Sequence, residues 1–105
     1  MATTRIIVLF NLKPGVDRSA YEAWARSTDL PIVNALASVE RFTVHAVTSL
    51  LGSEAPAPYQ FVEIIDVADM ALFGEETTSK TMTRVAGEFQ QWADPVFMLT
   101  DEIAA

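Results

Sequence analysis

His45 is the only histidine of the chain, and the residues around it alternate between polar and apolar as in a β-strand. A second strand-like segment containing Glu63 follows after a connection that includes prolines. If the two segments pair as a hairpin centred near Glu54, His45 and Glu63 lie opposite each other. A carboxylate beside an imidazole fixes its tautomer and raises its basicity, which suits a general acid or base near neutral pH. The sequence therefore predicts His45 and Glu63 as catalytic residues.

This pairing depends on the register of the two strands. A shift by two residues keeps His45 and Glu63 on one face of the sheet, whereas a shift by one residue puts them on opposite faces. The alternative is that His45 lies at a sheet edge or a dimer rim, hydrogen-bonded and inert. Both interpretations are open at this point.

Two further polar residues are candidates for substrate binding. Arg41 lies on the same face of the strand as His45, where it could hold an anionic or carbonyl group or pair with an acidic neighbour. Asn11 interrupts an apolar strand, and a buried amide needs partners. It either anchors the following turn or binds polar atoms of a ligand.

Aromatic residues recur at helical spacing in two places. Tyr21 and Trp24 share one face of a predicted helix, and Phe89 and Trp92 share one face of another. Such stripes usually belong to the core. They could also form a flat slot for an aromatic heterocycle, so these four residues are candidate substrate-binding residues.

The strands and helices that position these residues are predicted from the spacing of hydrophobic residues and from turn and cap residues. Hydrophobic alternation predicts four strands, over 5–12, 39–50, 59–67 and 96–100. Helical spacing predicts a helix that starts at Asp17 and ends at Leu30-Pro31, and a short helical piece over 31–36. After strand 3, Asp66 or Asp69 caps a short helix that stops near Gly74, and a longer helix follows the cap residues at 77–79.

The element order is β-α-β-β-α-β, the ferredoxin-like arrangement of the α+β class. Its four-stranded antiparallel sheet carries helices on one face only. Both faces of the strands are apolar here, so we expect a homodimer in which two sheets pack together. We expect one domain over residues 1–105.

Composition excludes several classes of function. The chain has 7 basic and 14 acidic residues and a net charge of −7, which argues against nucleic acid and anionic membrane surfaces as partners. It has no cysteine, and its apolar runs are too short to span a bilayer. We expect a cytoplasmic protein with no metal site and no cofactor.

The chain also resembles a known family over nearly its whole length. The residues that carry the resemblance are the opening segment 5–17, Tyr21-Glu22-Ala23-Trp24-Ala25, and the later segments 63–67 and 84–89. They resemble the REDY-like (HapK-type) family of dimeric α+β barrel proteins. The resemblance implies a cofactor-free homodimer with a small-molecule cleft, in pathways that make prodiginine-type tripyrroles and related pyrrole or indole alkaloids.

Two functions are compatible with these observations. The first is a cofactor-free enzyme that binds a pyrrole- or indole-containing intermediate and moves a proton during a dehydration, condensation or cyclisation. The second is a non-catalytic protein that shelters or delivers a reactive intermediate. The small aromatic heterocyclic ligand is common to both.

Overall fold

A computed structural model describes residues 3–105 as one sheet with helices packed on it. The four strands are β1 (Thr4–Phe10), β2 (Val39–Ala46), β3 (Phe61–Val67) and β4 (Val96–Thr100). The four α-helices are α1 (Arg18–Trp24), α2 (Leu30–Asn34), α3 (Met70–Glu76) and α4 (Lys80–Trp92). A π-helical turn over Ala25–Asp29 joins α1 to α2.

The strands form one antiparallel sheet in the order β2-β3-β1-β4. The ferredoxin-like α+β fold expected from the element order is therefore confirmed, with α3 as the predicted additional short helix. Alternate residues of β1 and β3 are buried under the helices, as in the series Phe61, Glu63, Ile65 and Val67. The molecule is flat, with extents of 41 × 40 × 18 Å, because it has one sheet layer and one helix layer.

Side-chain caps determine where the helices begin. Asp17 accepts a hydrogen bond from the backbone N–H of Ser19 at 3.4 Å, and Ser79 accepts one from Met82 at 3.1 Å. Asp69 caps α3 by accepting from Leu72 at 3.0 Å. Asp66, the other candidate for that cap, instead pairs with Arg5 on the face of the sheet away from the helices.

The π-helical turn has an identifiable cause. Pro31 has no backbone N–H and its ring clashes with the carbonyl four residues earlier, so a regular α-helix cannot continue through it. The wider turn resolves this, since the N–H of Leu30 donates to the carbonyl of Ala25. The helix therefore continues past Pro31 instead of ending there, and the turn directs Asp29 toward the sheet, where it is buried.

The uncovered face of the sheet, away from the helices, combines an apolar patch on β1, β3 and β4 with polar residues such as Arg5, Arg41, His45 and Asp66. Ile7 and Leu9 of β1 and Val62 and Ile64 of β3 are only partly buried on it. Within residues 3–105, no helix has the length and the apolar character needed to cross a membrane.

Candidate functional site

A cleft of about 280 Å³ lies between the sheet and the helices. All four strands and helices α2, α3 and α4 contribute to its wall, together with the π-helical turn. Its lining is mostly apolar: Ile6, Asp29, Val33, Phe42, Glu63, Ile65, Met70, Phe73, Thr77, Met82, Val85, Ala86, Phe89, Phe97 and Leu99. Two carboxyl groups in this wall are its only ionisable groups among the described residues.

Glu63 lies in the middle of the sheet, between Val8 of β1 and Val44 of β2. Its side chain points to the helix side and the residue is only 2% exposed. Among the described residues, its Oε2 has no hydrogen-bond partner. Burial, followed by the nearby charge of Asp29, raises the pKa of Glu63 well above its usual value. Burial therefore favours the protonated carboxylic acid form of Glu63.

Asp29 is the second carboxyl of the cleft and comes from the π-helical turn. It is 4% exposed, and burial raises its pKa from 3.8 to about 7. Its Oδ2 also lacks a hydrogen-bond partner within the part of the chain that the structure describes. At neutral pH, Asp29 thus exchanges between the acid and the carboxylate.

The hydroxyl of Tyr21 is a third buried polar group close to this pair. Tyr21 is fully buried, and its hydroxyl has no partner among residues 3–105. Burial raises its pKa, and the charges of Glu63 and Asp29 raise it further. Tyr21 does not line the cleft itself, and its raised pKa keeps its hydroxyl neutral near the two carboxyls.

Two carboxyl groups with different proton affinities can serve as acid and base at one pH. Glu63 is suited to donate a proton and Asp29 to accept one near pH 7. An apolar lining strengthens the electrostatic interaction of each carboxyl with a bound molecule, because it keeps the local dielectric constant low. The free oxygens point to a function, since a buried polar group without a partner is destabilising.

The prediction that His45 faces Glu63 is wrong. His45 is opposite Val62 and Glu63 is opposite Val44, so the two side chains lie on opposite faces of the sheet. The reason is packing: Phe42 on β2 and Ile65 on β3 are both buried, which requires them to share the helix face. His45 is exposed on the other face, where its Nε2 lies 3.0 Å from Thr43 Oγ1.

The structure does not bring Arg41 or Asn11 to the cleft. Arg41 is exposed on the uncovered face, across from Asp66. Asn11 fastens the connection before β3: its amide donates to the carbonyl of Pro58 at 2.9 Å, and its Oδ1 accepts from the N–H of Gln60 at 2.8 Å. The anchoring interpretation therefore describes Asn11, although it anchors a different loop from the one expected.

The four candidate aromatic residues pack on one another. Ring centroids among Tyr21, Trp24, Phe89 and Trp92 lie 6.0 to 6.5 Å apart for five of the pairs. The indole N–H of Trp24 donates to Glu88 Oε1 at 2.8 Å, which joins α1 to α4. These rings form core, as aromatic stripes usually do, and only Phe89 also lines the cleft.

The sequence patterns did not single out Asp29, although it lies in the helix predicted to start at Asp17, whose buried stripe carries Tyr21. A signal was present: Tyr21, Ala25 and Asp29 are spaced by four residues, and the first two belong to the buried stripe. No comparable sequence pattern predicts the π-helical turn that contains Asp29 and directs it into the cleft. Among residues 3–105, no group of three or more His, Cys, Asp or Glu side chains could hold a metal ion.

Comparisons with known proteins agree on one family and one fold. A family model described as REDY-like protein HapK matches residues 4–103. The structure is similar to HapK from Hahella chejuensis, with 26% identity over 97% of this chain and 94% of that one, and a TM-score of 0.78.

Two more distant structures share the fold. A DABB family protein with a ferredoxin-like fold from Mesorhizobium loti has 14% identity over 99% of this chain and 100% of that one, with a TM-score of 0.73. A dimeric ferredoxin-like protein from Thermobifida fusca has 18% identity over 93% and 89%, with a TM-score of 0.71. None of the curated proteins matches this chain.

Proposed function

Because the chain belongs to the REDY-like HapK family, we propose that it is a cofactor-free acid–base catalyst that binds a small, largely apolar molecule in the Glu63 cleft. The observation that carries the proposal is the buried Glu63 carboxyl, which opens onto an apolar cleft beside Asp29 and has no partner among the described residues. A catalytic proton donor needs this combination of a raised pKa and a free oxygen.

The two carboxyls have distinct roles in this proposal. In a dehydration, the Asp29 carboxylate takes a proton from the atom next to the carbinol carbon, and a new double bond forms as the C–O bond breaks. Glu63 gives its proton to the departing hydroxyl, which leaves as water. Transfer of a proton from Asp29 to Glu63 restores the starting state. In a condensation or cyclisation, the nucleophilic atom bonds to the carbonyl carbon and loses its proton to the Asp29 carboxylate. Glu63 gives its proton to the carbonyl oxygen as the π bond of the C=O group breaks, and transfer of a proton from Asp29 to Glu63 again restores the starting state.

The family suggests a pyrrole- or indole-containing intermediate of a prodiginine- or bisindole-type pathway as the substrate. The cleft supports a compact molecule, since about 280 Å³ lies just below the usual range of about 300–1,000 Å³ for ligand pockets. The apolar wall suits the rings of such a molecule, and the carboxyls suit its carbonyl, hydroxyl or N–H groups.

The second candidate function is a carrier that shelters a reactive intermediate. The observation in its favour is that Asp29, Glu63 and Thr77 are the only polar side chains in the cleft wall within residues 3–105. In a carrier, the apolar lining supplies the affinity, and the two carboxyls orient the ligand without exchanging protons with it.

The experiment compares Glu63→Gln, Asp29→Asn and the control His45→Ala for product formation and ligand binding, with small pyrrole and indole aldehydes or ketones. We expect each carboxyl variant to lose turnover about 10²–10⁴-fold, the usual effect of an acid or base. His45→Ala keeps full activity because His45 lies on the other face of the sheet. Unchanged turnover in both carboxyl variants contradicts the catalytic role, and retained binding then supports the carrier.

We also propose that the chain forms a homodimer through the uncovered face of the sheet. That face carries the apolar residues Ile7, Leu9, Val62 and Ile64, and on β4 Val96 and Met98 are 63% and 39% exposed. Exposed apolar area of this kind marks an interaction surface. The dimeric protein from Thermobifida fusca has the same fold.

A further inference from the structure

The charge of the cleft restricts what can bind there. Its wall contains Asp29 and Glu63, and among the described residues that form it there is no Lys, Arg or His. A ligand carboxylate or phosphate would bring a second negative charge next to Asp29, which is mostly ionised above pH 7, into an apolar space without a cation to balance it. Such an arrangement is strongly unfavourable because like charges in a low-dielectric site repel.

The free oxygens define what the ligand has to supply. Glu63 Oε2 and Asp29 Oδ2 are both buried, and within residues 3–105 neither is hydrogen-bonded. The Asp29 carboxylate can only accept hydrogen bonds, and a protonated Glu63 still has acceptor capacity beside its O–H group. The Tyr21 hydroxyl does not line the cleft, and Thr77, the remaining polar side chain among the described residues of the wall, carries no charge. A ligand with two N–H groups on one edge can donate to both oxygens, and a positive charge on it compensates the carboxylate.

We infer that the cleft selects compounds that present N–H donors, either neutral or cationic, and rejects carboxylates of the same shape. The selectivity comes from the unpartnered Glu63 and Asp29 oxygens in a wall without a basic side chain. The inference deepens the proposed function because it names the ligand class of the same cleft. It does not depend on whether a proton is moved.

Benzamidine, benzamide and benzoate form a matched series for the test, since each is one ring with a planar group of similar size. Benzamidine offers N–H donors and a positive charge, benzamide offers N–H donors without charge, and benzoate offers only acceptors. Binding is measured by calorimetry at pH 7.5 in high salt, which screens the general attraction of an acidic protein for cations. We expect affinities in the order benzamidine, benzamide, benzoate, with at least a tenfold difference between the first and the last.

The variants locate the effect. Glu63→Gln and Asp29→Asn each weaken benzamidine binding several-fold, and the double variant loses the preference over benzoate. Glu54→Gln, a control at an exposed glutamate of the β2–β3 connection, leaves all three affinities unchanged. The inference is overturned if benzamidine does not bind, if benzoate binds equally well, or if the double variant retains the preference.

Failure of this inference and failure of the proposed function are distinguishable. If benzamidine is preferred but Glu63→Gln retains full turnover, the inferred ligand class is supported and the catalytic role of Glu63 is contradicted. If Glu63→Gln abolishes turnover but benzoate binds as well as benzamidine, the catalytic role of Glu63 is supported and the inferred ligand class is contradicted.

Discussion

Glu63 occupies a position where the strand pattern calls for an apolar side chain. Its neighbours in the buried series of β3 are Phe61, Ile65 and Val67, and it is as buried as they are. A carboxyl there is destabilising unless it stays protonated or finds a partner, so packing alone does not explain it. The sequence identified Glu63 as a candidate but assigned it His45 as its partner. The observed neighbour, Asp29, is buried through the π-helical turn, which no pattern in the sequence predicted.

A buried acid with a raised pKa makes stability depend on pH in a defined direction. The folded state holds the proton of Asp29 up to about pH 7, whereas the unfolded chain releases it near 3.8. Stability from this group is therefore full at low pH and is lost as the pH rises from about 4 to about 7. This is opposite to the effect of an ion-paired carboxyl such as Asp66, whose pKa is lowered by the hydrogen bond from Arg5.

Asp29→Asn should remove the loss of folding stability that the ionisation of Asp29 causes as the pH rises. We expect the variant to gain stability relative to the wild type as the pH rises from 4 to 8, by up to about 4 kcal/mol, since each tenfold change in acidity corresponds to about 1.4 kcal/mol. Urea unfolding at several pH values measures the difference, with the exposed Asp101→Asn as control. A difference that does not change with pH would contradict the burial of an ionisable Asp29.

At the level of elements, the sequence predicted much of the fold and little of the register. Alternation and helical spacing predicted the four strands, the cap Asp17 and the last helix. For α3 they left Asp66 and Asp69 as alternative caps, and Asp69 is the one observed. The predicted register of β2 against β3 was wrong because residues 47–60 do not join the two strands by a tight hairpin turn, which would fix the register. The burial of Phe42 with Ile65 sets it instead, and the sequence contained both residues.

Helix α4 gives access to the cleft for a steric test. Ala86 lines the cleft and is exposed, so a large side chain there fills the opening without entering the core. We expect Ala86→Trp to weaken ligand binding at least tenfold while the free energy of unfolding changes by less than about 0.5 kcal/mol, as for other surface substitutions. Thr83→Trp, on the same helix but outside the cleft wall, is the control. Equal effects of the two variants would show that this cleft is not the binding site.

For the whole molecule, one sheet layer and one helix layer leave an apolar surface uncovered. Ile64 lies near the middle of that surface, next to Ile7 on β1. The same sheet carries Glu63 on its other face, so a dimer formed here buries the uncovered surface and leaves the cleft accessible.

Ile64→Lys should dissociate the dimer. A charged side chain in the middle of an apolar interface is costly to bury, whereas in a monomer it is solvated. We expect the wild type to sediment as a dimer and the variant as a folded monomer in analytical ultracentrifugation. Thr81→Lys on the exposed side of α4 is the control and should remain dimeric. A monomeric wild type, or a dimeric Ile64→Lys, would contradict the interface.

Glu63 and Asp29 are expected to hold protons in the cleft at pH values at which an ordinary carboxyl is ionised. Carbon-13 NMR titration of the Asp and Glu carboxyl carbons tests this directly. We predict that Asp29 titrates near pH 7, that the pKa of Glu63 lies well above the usual value of a glutamate, and that Asp29→Asn lowers the pKa of Glu63. Titration of both Glu63 and Asp29 at the usual values of Asp and Glu side chains, about 4, would contradict a protonated carboxyl pair in the cleft.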